Sequence, residues 1–252
     1  MLGATRVTLR DVAQESAKEM ENVKAALFDI DGTLTTGGKL WYPLVKSPDV
    51  PAWRRAWLYA TAYPHYMLSY RGWVSQAHFR DRWVRMMAWL TTGWTREQVQ
   101  ALSAHIVDDV LLTHLREDMV ALLHEHRAEG RPTILVSTMF GCIVRTFNEH
   151  VGAETALGSE VEFRGDVSTG RIVGQTCSGE RKAAFVKRYL AEHHPQISLA
   201  DCVAYADSHS DISFLASVGH PVAVYPDDEM RAAAQSRGWP IHEASGQPNR
   251  RD

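Results

Sequence analysis

The sequence predicts an α/β protein: a doubly wound, mainly parallel sheet with an inserted bundle of α-helices. Over most of the chain, short apolar runs alternate with longer helical stretches, a pattern typical of strand–helix–strand units. Between Trp53 and Leu115 the apolar residues instead recur at intervals of three and four, which is typical of a helical bundle, with predicted breaks at Pro64 and Gly93. The 252 residues, 45% of them hydrophobic, suffice to bury the cores of such a fold.

The elements of the sheet are predicted one after another along the chain. An apolar run at residues 25–28 forms the first strand and is followed by Asp29. The later elements, in chain order, are a helix over 117–129 that stops at Gly130, a strand over 133–136 that ends at Ser137, a helix over 143–150, a hairpin over 161–174, a helix over 180–193, a strand over 202–205 that leads to Asp207, a helix over 212–216 and a strand over 222–225.

Composition separates residues 41–94 from the rest of the chain. This window holds seven of the eight tryptophans, and its seven basic against two acidic residues give it a local charge of +5. We therefore expect two domains: an α/β core formed by residues 1–35 and 115–252, and a helical cap formed by residues 36–114. The polar residues 244–252, which include Gly and Pro, are expected to be a disordered tail.

Charge and hydropathy exclude several classes of protein. The overall charge of −3 provides no general basic field, so a nucleic-acid partner is not expected. The N-terminal residues lack the apolar segment of a secretory signal, and nowhere do about 18 apolar residues follow one another. The widely spaced Cys142, Cys177 and Cys202 fit reduced thiols better than a disulfide or zinc framework. We expect a cytoplasmic protein without a transmembrane segment; its oligomeric state is not predicted.

Polar residues follow three of the predicted strands. Asp29, Ser137 and Asp207 each stand at the carboxyl end of a strand, where the loops of a parallel sheet converge on a crevice. Asp29 and Asp31 are separated by one residue, and Gly32 allows a sharp turn of the backbone. A pair of carboxylates directly after an apolar strand predicts a functional site rather than a capped turn.

The segment Asp29-Ile30-Asp31-Gly32-Thr33 resembles the first motif of the haloacid dehalogenase (HAD) superfamily, and specifically of its phosphatases. Three later segments resemble the other motifs in the correct order: Ile134-Leu135-Val136-Ser137, Gly179-Glu180-Arg181-Lys182, and Ala206-Asp207-Ser208-His209-Ser210-Asp211. The helical insertion occupies the place of the cap in phosphoserine-phosphatase-like members. The resemblance covers about residues 24–225 and implies a Rossmann-like HAD core with an inserted helical cap.

The resemblance implies a Mg²⁺-dependent phosphomonoester hydrolase. Asp29 would attack phosphorus and form an aspartyl-phosphate. Asp31 would protonate the leaving group and then activate water, a role that needs a raised pKa. The side chains of Asp29 and Asp207 and the backbone carbonyl of Asp31 would hold the metal, with support from Asp211.

The resemblance also implies a phosphate-binding role for four residues. Ser137 would donate a hydrogen bond to the phosphate, and Lys182 would neutralise charge as a compact cation. Backbone N–H groups around Gly32 and Thr138 would complete the anion site. Thr138 could share or take the role of Ser137, since a serine after a strand often caps a turn. His209, between two candidate ligands, could reach the phosphate or simply fill the loop.

The sequence leaves the substrate open. Phosphoserine phosphatases carry a glutamate shortly after the first motif, but residues 35–39 contain no acid, so phosphoserine is not the expected substrate. The leading interpretation is a small phosphorylated metabolite. A second is a phosphatase or phosphotransferase for a lipid or nucleic-acid phosphate, suggested by the aromatic, basic cap, which could also contact a membrane peripherally. A catalytically silent ligand-binding relative ranks last, because both Asp29 and Asp31 are retained. The cap tryptophans are interpreted first as bundle core.

Overall fold

The computed structural model describes residues 22–70 and 76–243, and the side chains of residues 63–70 and 76–79 lie outside that description. Residues 1–21 of the expected core domain and the expected tail at 244–252 also lie outside it. The described strands are β1 (Ala25–Phe28), β2 (Thr133–Phe140), β3 (Thr155–Ser159), β4 (Val161–Arg164), β5 (Val167–Ile172), β6 (Cys202–Ala206), β7 (His220–Val224) and β8 (Ile241–His242).

Nine α-helices are present in the described residues: α1 (Tyr42–Lys46), α2 (Ala52–Tyr70), α3 (Gln76–Leu90), α4 (Arg96–Ile106), α5 (Glu117–Ala128), α6 (Gly141–Val151), α7 (Arg181–His193), α8 (Ile212–Leu215) and α9 (Asp228–Arg237). A π-helical segment at Val107–Leu111 and a short 3₁₀ helix at Leu112–His114 follow α4. None of the helices within these described ranges combines the length and apolar composition that crossing a bilayer requires.

Six strands form one parallel sheet in the order β3-β2-β1-β6-β7-β8. Side chains alternate between the two faces along each strand. In β1, Ala26 and Phe28 belong to the apolar cluster that contains residues of α5 and α6. Ala25 and Leu27 belong to the cluster that contains residues of α7, α8 and α9. Helices therefore cover both faces, and the predicted doubly wound, parallel α/β fold is confirmed.

The cap is inserted where two segments of the chain lie side by side. The backbone N–H of Thr36 donates to the carbonyl of His114 at 2.8 Å, and the N–H of Arg116 donates to the carbonyl of Leu34 at 2.8 Å. The chain thus leaves the sheet after residue 35 and returns near residue 115. These contacts support the domain boundaries expected from composition, which we propose as 1–35 and 115–252 for the core and 36–114 for the cap.

Of the two predicted breaks in the cap, one is confirmed and one is wrong. Gly93 lies between α3 and α4 with a φ of +87°, a conformation that favours glycine. Pro64 lies inside α2, which continues to Tyr70. A proline removes one backbone donor from a helix, and the helix of 19 residues continues past this position.

The cap tryptophans divide between the interior and the surface. Trp94 is buried, and Trp41, Trp83 and Trp89 pack against the apolar core, as the bundle interpretation predicts. Trp53 and Trp57 are 60% and 45% exposed and lie against the ring of Trp89. Trp73 lies outside the described residues. The helical spacing alone therefore does not separate core tryptophans from surface ones.

The hairpin predicted over 161–174 is confirmed as the antiparallel pair β4–β5. The sequence did not predict what it contacts. Ser168 of β5 bonds to the α3–α4 connection through three groups: its hydroxyl lies 2.9 Å from that of Thr91, its carbonyl accepts from Gly93 N–H, and its N–H donates to Trp94. The hairpin of the core is therefore joined directly to the cap.

Three elements of the structure were not predicted from the sequence, and one strand is longer than predicted. β3, α9 and β8 were not predicted, because none contains a long apolar run. The strand predicted over 133–136 continues to Phe140, and its pairing with β3 shifts between Val136 and Phe140. Met139 and Phe140, in the part of β2 that was not predicted, are both buried.

Candidate active site

The predicted site residues meet at the carboxyl edge of the sheet. β1 lies between β2 and β6, so Asp29 at the end of β1 faces both neighbours. Asp29 is held there by its backbone N–H, which donates to the carbonyl of Tyr205 at 3.0 Å. Asp207 follows β6 directly. The sequence predicts that β2 ends at Ser137, but the strand continues beyond this residue. Ser137 lies where the pairing of β2 with β3 becomes irregular.

Three carboxylates form a compact buried cluster. One oxygen from each of Asp29, Asp207 and Asp211 lies within 4.8 Å of the others, and all three side chains are buried. The structure thus brings together three of the four predicted metal ligands through their side chains. The side chain of Asp31 stands outside this cluster and is exposed. A cluster of buried carboxylates requires positive charge for stability.

Lys182 provides one positive charge to this cluster. It is the second residue of α7, and its Nζ donates to Asp29 Oδ1 at 2.6 Å and lies 2.9 Å from Asp211 Oδ1. The lysine is 1% exposed. Burial alone would lower the pKa of Lys182, but Asp211 and Asp29 outweigh it and hold the pKa above its usual range.

The surroundings of Asp29 raise the pKa of its carboxyl group. Burial raises its pKa to about 6, the charge of Lys182 opposes this rise, and the nearby carboxylates of Asp211 and Asp31 add to it. With Lys182 alone as its cation, Asp29 would therefore gain a proton in mildly acidic solution. A divalent cation at the cluster would favour the ionised form.

Gly32 allows the first motif to approach Asp207. Its φ is +91°, and a Cβ at this position would lie 1.9 Å from Asp207 Oδ2. The carbonyl of Gly32 accepts a hydrogen bond of 3.3 Å from Nε of the fully buried Arg116. The guanidinium of Arg116 also lies 3.6 Å from the centre of the Tyr225 ring. Arg116 was not predicted as a site residue, since a single arginine outside the motifs gives no signal of burial.

A cavity of about 250 Å³ opens in front of the carboxylates. Core residues on its wall include the predicted phosphate-binding Ser137, Thr138 and Lys182, together with Asp29 and Asp31. Ser137 is buried and accepts a hydrogen bond from the N–H of Met139, whereas Thr138 is half-buried. The structure thus brings both hydroxyl candidates to the cavity, together with the lysine.

The cap closes the other side of this cavity. Arg80, Trp83 and Val84 of α3 line it at a spacing of three and four residues, which places them on one face of the helix. Arg80 Nη2 donates to the hydroxyl of Ser208 in the fourth motif at 3.0 Å. From the sequence, Arg80 was considered only as one of the basic residues of the cap. Its spacing of three residues from Trp83, which places both on one face of a helix, was the signal that could have linked it to the site.

His209 is anchored away from the cavity wall. Its Nδ1 and its backbone N–H both lie 2.9 Å from Asp227 Oδ2. Burial raises the pKa of Asp227, but hydrogen bonds from His209 and from Met230 N–H outweigh it and bring the pKa to about 2. His209 is not among the residues that line the 250 Å³ cavity. This geometry favours a structural role for His209 in its loop.

Related sequences share parts of this chain. The protein described as "Inhibition of morphological differentiation protein" of Streptomyces azureus is 32% identical over 164 residues, which are 64% of this chain and 58% of that protein. A phosphoserine phosphatase of Mycobacterium tuberculosis is 30% identical over 151 residues, which are 60% of this chain and 48% of that protein. The chain thus aligns with about half the length of these curated relatives.

Solved structures share the fold. A protein of unknown function from Bordetella pertussis has a TM-score of 0.74 and 23% identity, covering 88% of this chain and 98% of that one. A substrate-bound phosphoserine phosphatase has a TM-score of 0.59 and 18% identity, covering 91% of this chain and 94% of that one. A sequence profile described as haloacid dehalogenase-like hydrolase matches residues 26–216, which include all four motifs. The chain belongs to the haloacid dehalogenase-like hydrolase family.

Proposed function

We propose that this protein is a Mg²⁺-dependent phosphatase that hydrolyses phosphomonoesters through an aspartyl-phosphate on Asp29. One observation carries the proposal: a buried lysine bonded to Asp29 lies among three carboxylates and faces a cavity that Asp31 and Ser137 also line. The curated relatives named as phosphatases support the reaction class.

The carboxylate cluster fits a magnesium ion. Mg²⁺ prefers hard oxygen ligands, and the side chains of Asp29, Asp207 and Asp211 present such oxygens within 4.8 Å of one another. The backbone carbonyl of Asp31 would add a further ligand. When bound, the ion would neutralise charge on the phosphoryl oxygens and on Asp29, which otherwise repel each other.

In the proposed first step, a carboxylate oxygen of Asp29 attacks the phosphorus and the bond from phosphorus to the leaving oxygen breaks. Lys182 and Ser137 bind the phosphoryl oxygens and keep the group aligned with Asp29. Asp31 lies at the mouth of the cavity and donates a proton to the leaving oxygen, so the product departs as a neutral alcohol.

In the second step, Asp31 accepts a proton from a water molecule as that water attacks the phosphorus of the aspartyl-phosphate. The bond from phosphorus to Asp29 breaks, inorganic phosphate leaves, and Asp31 is again protonated. Both carboxylates return to their starting states, so the cycle needs no further reactant. The exposed position of Asp31 gives it access to water and to the departing alcohol.

The proposed substrate is a small phosphorylated metabolite in the cytoplasm. A 250 Å³ cavity walled by Arg80 and Trp83 accommodates a phosphate and the first atoms of its alcohol. We propose that the cap, residues 36–114, selects the substrate. The exposed Trp53 and Trp57 keep a lipid or nucleic-acid phosphate as a second candidate, because stacking or apolar contact could take place there.

Phosphate release from p-nitrophenyl phosphate and from a panel of phosphomonoesters, with Mg²⁺ and then with EDTA, tests the reaction class. The panel contains phosphoserine, sugar, nucleotide and lysophospholipid phosphates. We expect turnover that EDTA abolishes and that added Mg²⁺ restores. Binding of Mg²⁺ without turnover of any panel member would contradict the proposal and favour a silent ligand-binding relative.

A further inference from the structure

We infer that the alcohol part of the substrate is an extended apolar chain that lies in a groove of the cap. This inference rests on the proposed phosphatase function and names its substrate class. The groove, hereafter the apolar groove, is a second cavity of about 340 Å³ whose apolar walls include Leu40, Trp41, Val45, Leu58, Tyr59 and Ala62.

The apolar groove lies next to the phosphate cavity. Asp31, Leu40, Trp41 and Trp83 line both spaces. A ligand that fills the phosphate cavity and extends past these residues would enter the groove. Together, the adjacent spaces of 250 and 340 Å³ fall in the size range of small-molecule sites.

Asp31 gives the direction in which the substrate lies. The proposed mechanism places its carboxyl beside the leaving oxygen, because it must donate a proton to that atom. Asp31 is also one of the four residues that line both the phosphate cavity and the groove. The carbon chain attached to the leaving oxygen therefore begins at Asp31 and continues into the groove.

The side chains of the groove favour carbon over charge. Leu58 is 1% exposed and Leu40 and Val45 are 6% and 8% exposed, so they form an apolar floor. Tyr59, 56% exposed, forms part of the rim. Among the described lining residues, the charged groups are Asp31 at the inner end and Lys39. A strongly hydrated alcohol would lose water against the apolar floor, which offers it no polar partner.

Binding of alkylphosphonates tests the groove without any turnover. Calorimetric titrations of the Mg²⁺-loaded protein with methyl-, butyl- and octylphosphonate compare chains of increasing length, all below their critical micelle concentrations. Each buried methylene is expected to strengthen binding by roughly two- to fourfold, so octylphosphonate should bind at least about tenfold more tightly than butylphosphonate. Its heat capacity of binding should be the more negative.

Three results would overturn the inference. One is equal affinity for the three phosphonates. Another is tighter binding of a nucleoside monophosphate than of octylphosphonate, which would indicate stacking on the tryptophans instead. The third is binding of the octyl chain only when it is presented in vesicles, which would indicate a membrane surface rather than a monomeric substrate.

A pair of variants on α2 locates the chain in the groove. Tyr59 lines the groove, whereas Ala56, exposed on the same helix, lines neither cavity. Tyr59→Asp places a charge at the rim and should lower the ratio of kcat/KM for octyl phosphate to that for methyl phosphate at least about fivefold, mainly through KM. Ala56→Asp should leave this ratio unchanged. Equal ratios in the two variants would contradict the assignment.

The turnover data separate this inference from the function on which it rests. If methyl and p-nitrophenyl phosphate are hydrolysed with Mg²⁺ but chain length has no effect, the apolar-chain inference is wrong and the phosphatase proposal stands. If no phosphomonoester is hydrolysed, the phosphatase proposal is wrong and the substrate class falls with it.

Discussion

Lys182 is the residue on which the buried carboxylate cluster depends most. Its Nζ contacts both Asp29 and Asp211, and all three side chains are almost fully buried. In such a site the loss of one charge leaves its partners buried without compensation, and that cost exceeds the value of the pair itself. The lysine therefore organises the site even before a substrate binds.

Replacing this lysine should destabilise the metal-free protein strongly. Lys182→Met is expected to lower the free energy of unfolding by about 3 kcal/mol at pH 7, because two carboxylates lose their cation. Urea unfolding in EDTA measures this change. Lys187→Met, at an exposed lysine of the same helix, should change stability by less than about 0.5 kcal/mol. Equal losses of stability in the two variants would show that Lys182 does not stabilise the carboxylate cluster.

Asp29 gives the most direct test of the catalytic assignment. Asp29→Asn should lower kcat by at least about a thousandfold, since a neutral amide cannot form the aspartyl-phosphate. Phosphate release and a thermal melt measure activity and fold together. The fold should be kept because asparagine has nearly the volume of aspartate. Asp166→Asn, at an exposed turn carboxylate, serves as the control. Undiminished turnover would remove Asp29 as the nucleophile.

Among the elements, the β4–β5 hairpin has a role that its sequence does not announce. It is part of the expected core, yet its Ser168 bonds to the connection between two cap helices. Gly170 of the same strand lies so close to the cap that a Cβ would approach Thr92 Oγ1 to 1.9 Å. The hairpin thus fixes the position of α3, which carries Arg80 and Trp83 to the cavity.

A comparison of two glycines of the hairpin distinguishes the effect of packing against the cap from the effect of backbone strain. Gly170 and Gly165 both have positive φ values, +74° and +62°, but no atom lies within 4 Å of a Cβ at Gly165. Both alanine variants should lose about 1 kcal/mol from the left-handed backbone. Gly170→Ala should lose about 1–3 kcal/mol more, because the cap must shift. Urea unfolding measures both. Equal losses would mean that the hairpin–cap contact is not tightly packed.

At the scale of the whole molecule, His126 joins elements that are distant in sequence. From α5 it reaches Tyr205 of β6, with 2.8 Å between Nε2 and Oη, and its Nδ1 lies 2.9 Å from Arg131 Nη1. Arginine can only donate, so Nδ1 accepts and the proton of the neutral ring resides on Nε2. Burial lowers the pKa of His126 to about 4, and the charge of Arg131 contributes.

The depressed pKa of His126 predicts a loss of stability in acid. In the unfolded chain the imidazole of His126 has a pKa near 6.5 and takes up a proton more readily than in the folded protein. The neutral, buried histidine therefore contributes its full stabilisation of the fold above about pH 6.5, and this contribution is lost as the pH falls toward 4. The contribution is on the order of 2 kcal/mol. Urea unfolding between pH 7 and 4.5 should show a shallower pH dependence in His126→Gln than in the unchanged protein. The exposed His150→Gln should keep the original slope. Parallel curves for all three proteins would contradict the prediction.

The sequence by itself predicted the fold class and most of the residues that meet at the carboxyl edge of the sheet. The apolar runs, the carboxylates of the first and fourth motifs, and Lys182 at the start of a helix depend on local patterns, which a single chain displays directly. They predicted the doubly wound sheet and named the residues that the structure brings to one edge. The irregular strands β3 and β8 escaped prediction because they are stabilised by pairing with β2 and β7 rather than by their own composition.

Only the tertiary structure decided how these parts meet. It placed Arg80 of the cap against Ser208, set Lys182 between two carboxylates, packed the hairpin on the cap, and placed the apolar groove beside the phosphate cavity. Each of these contacts joins residues far apart in sequence. Local periodicity shows which face of an element is apolar, but its partner is chosen by the joint burial of many faces, which no single segment encodes.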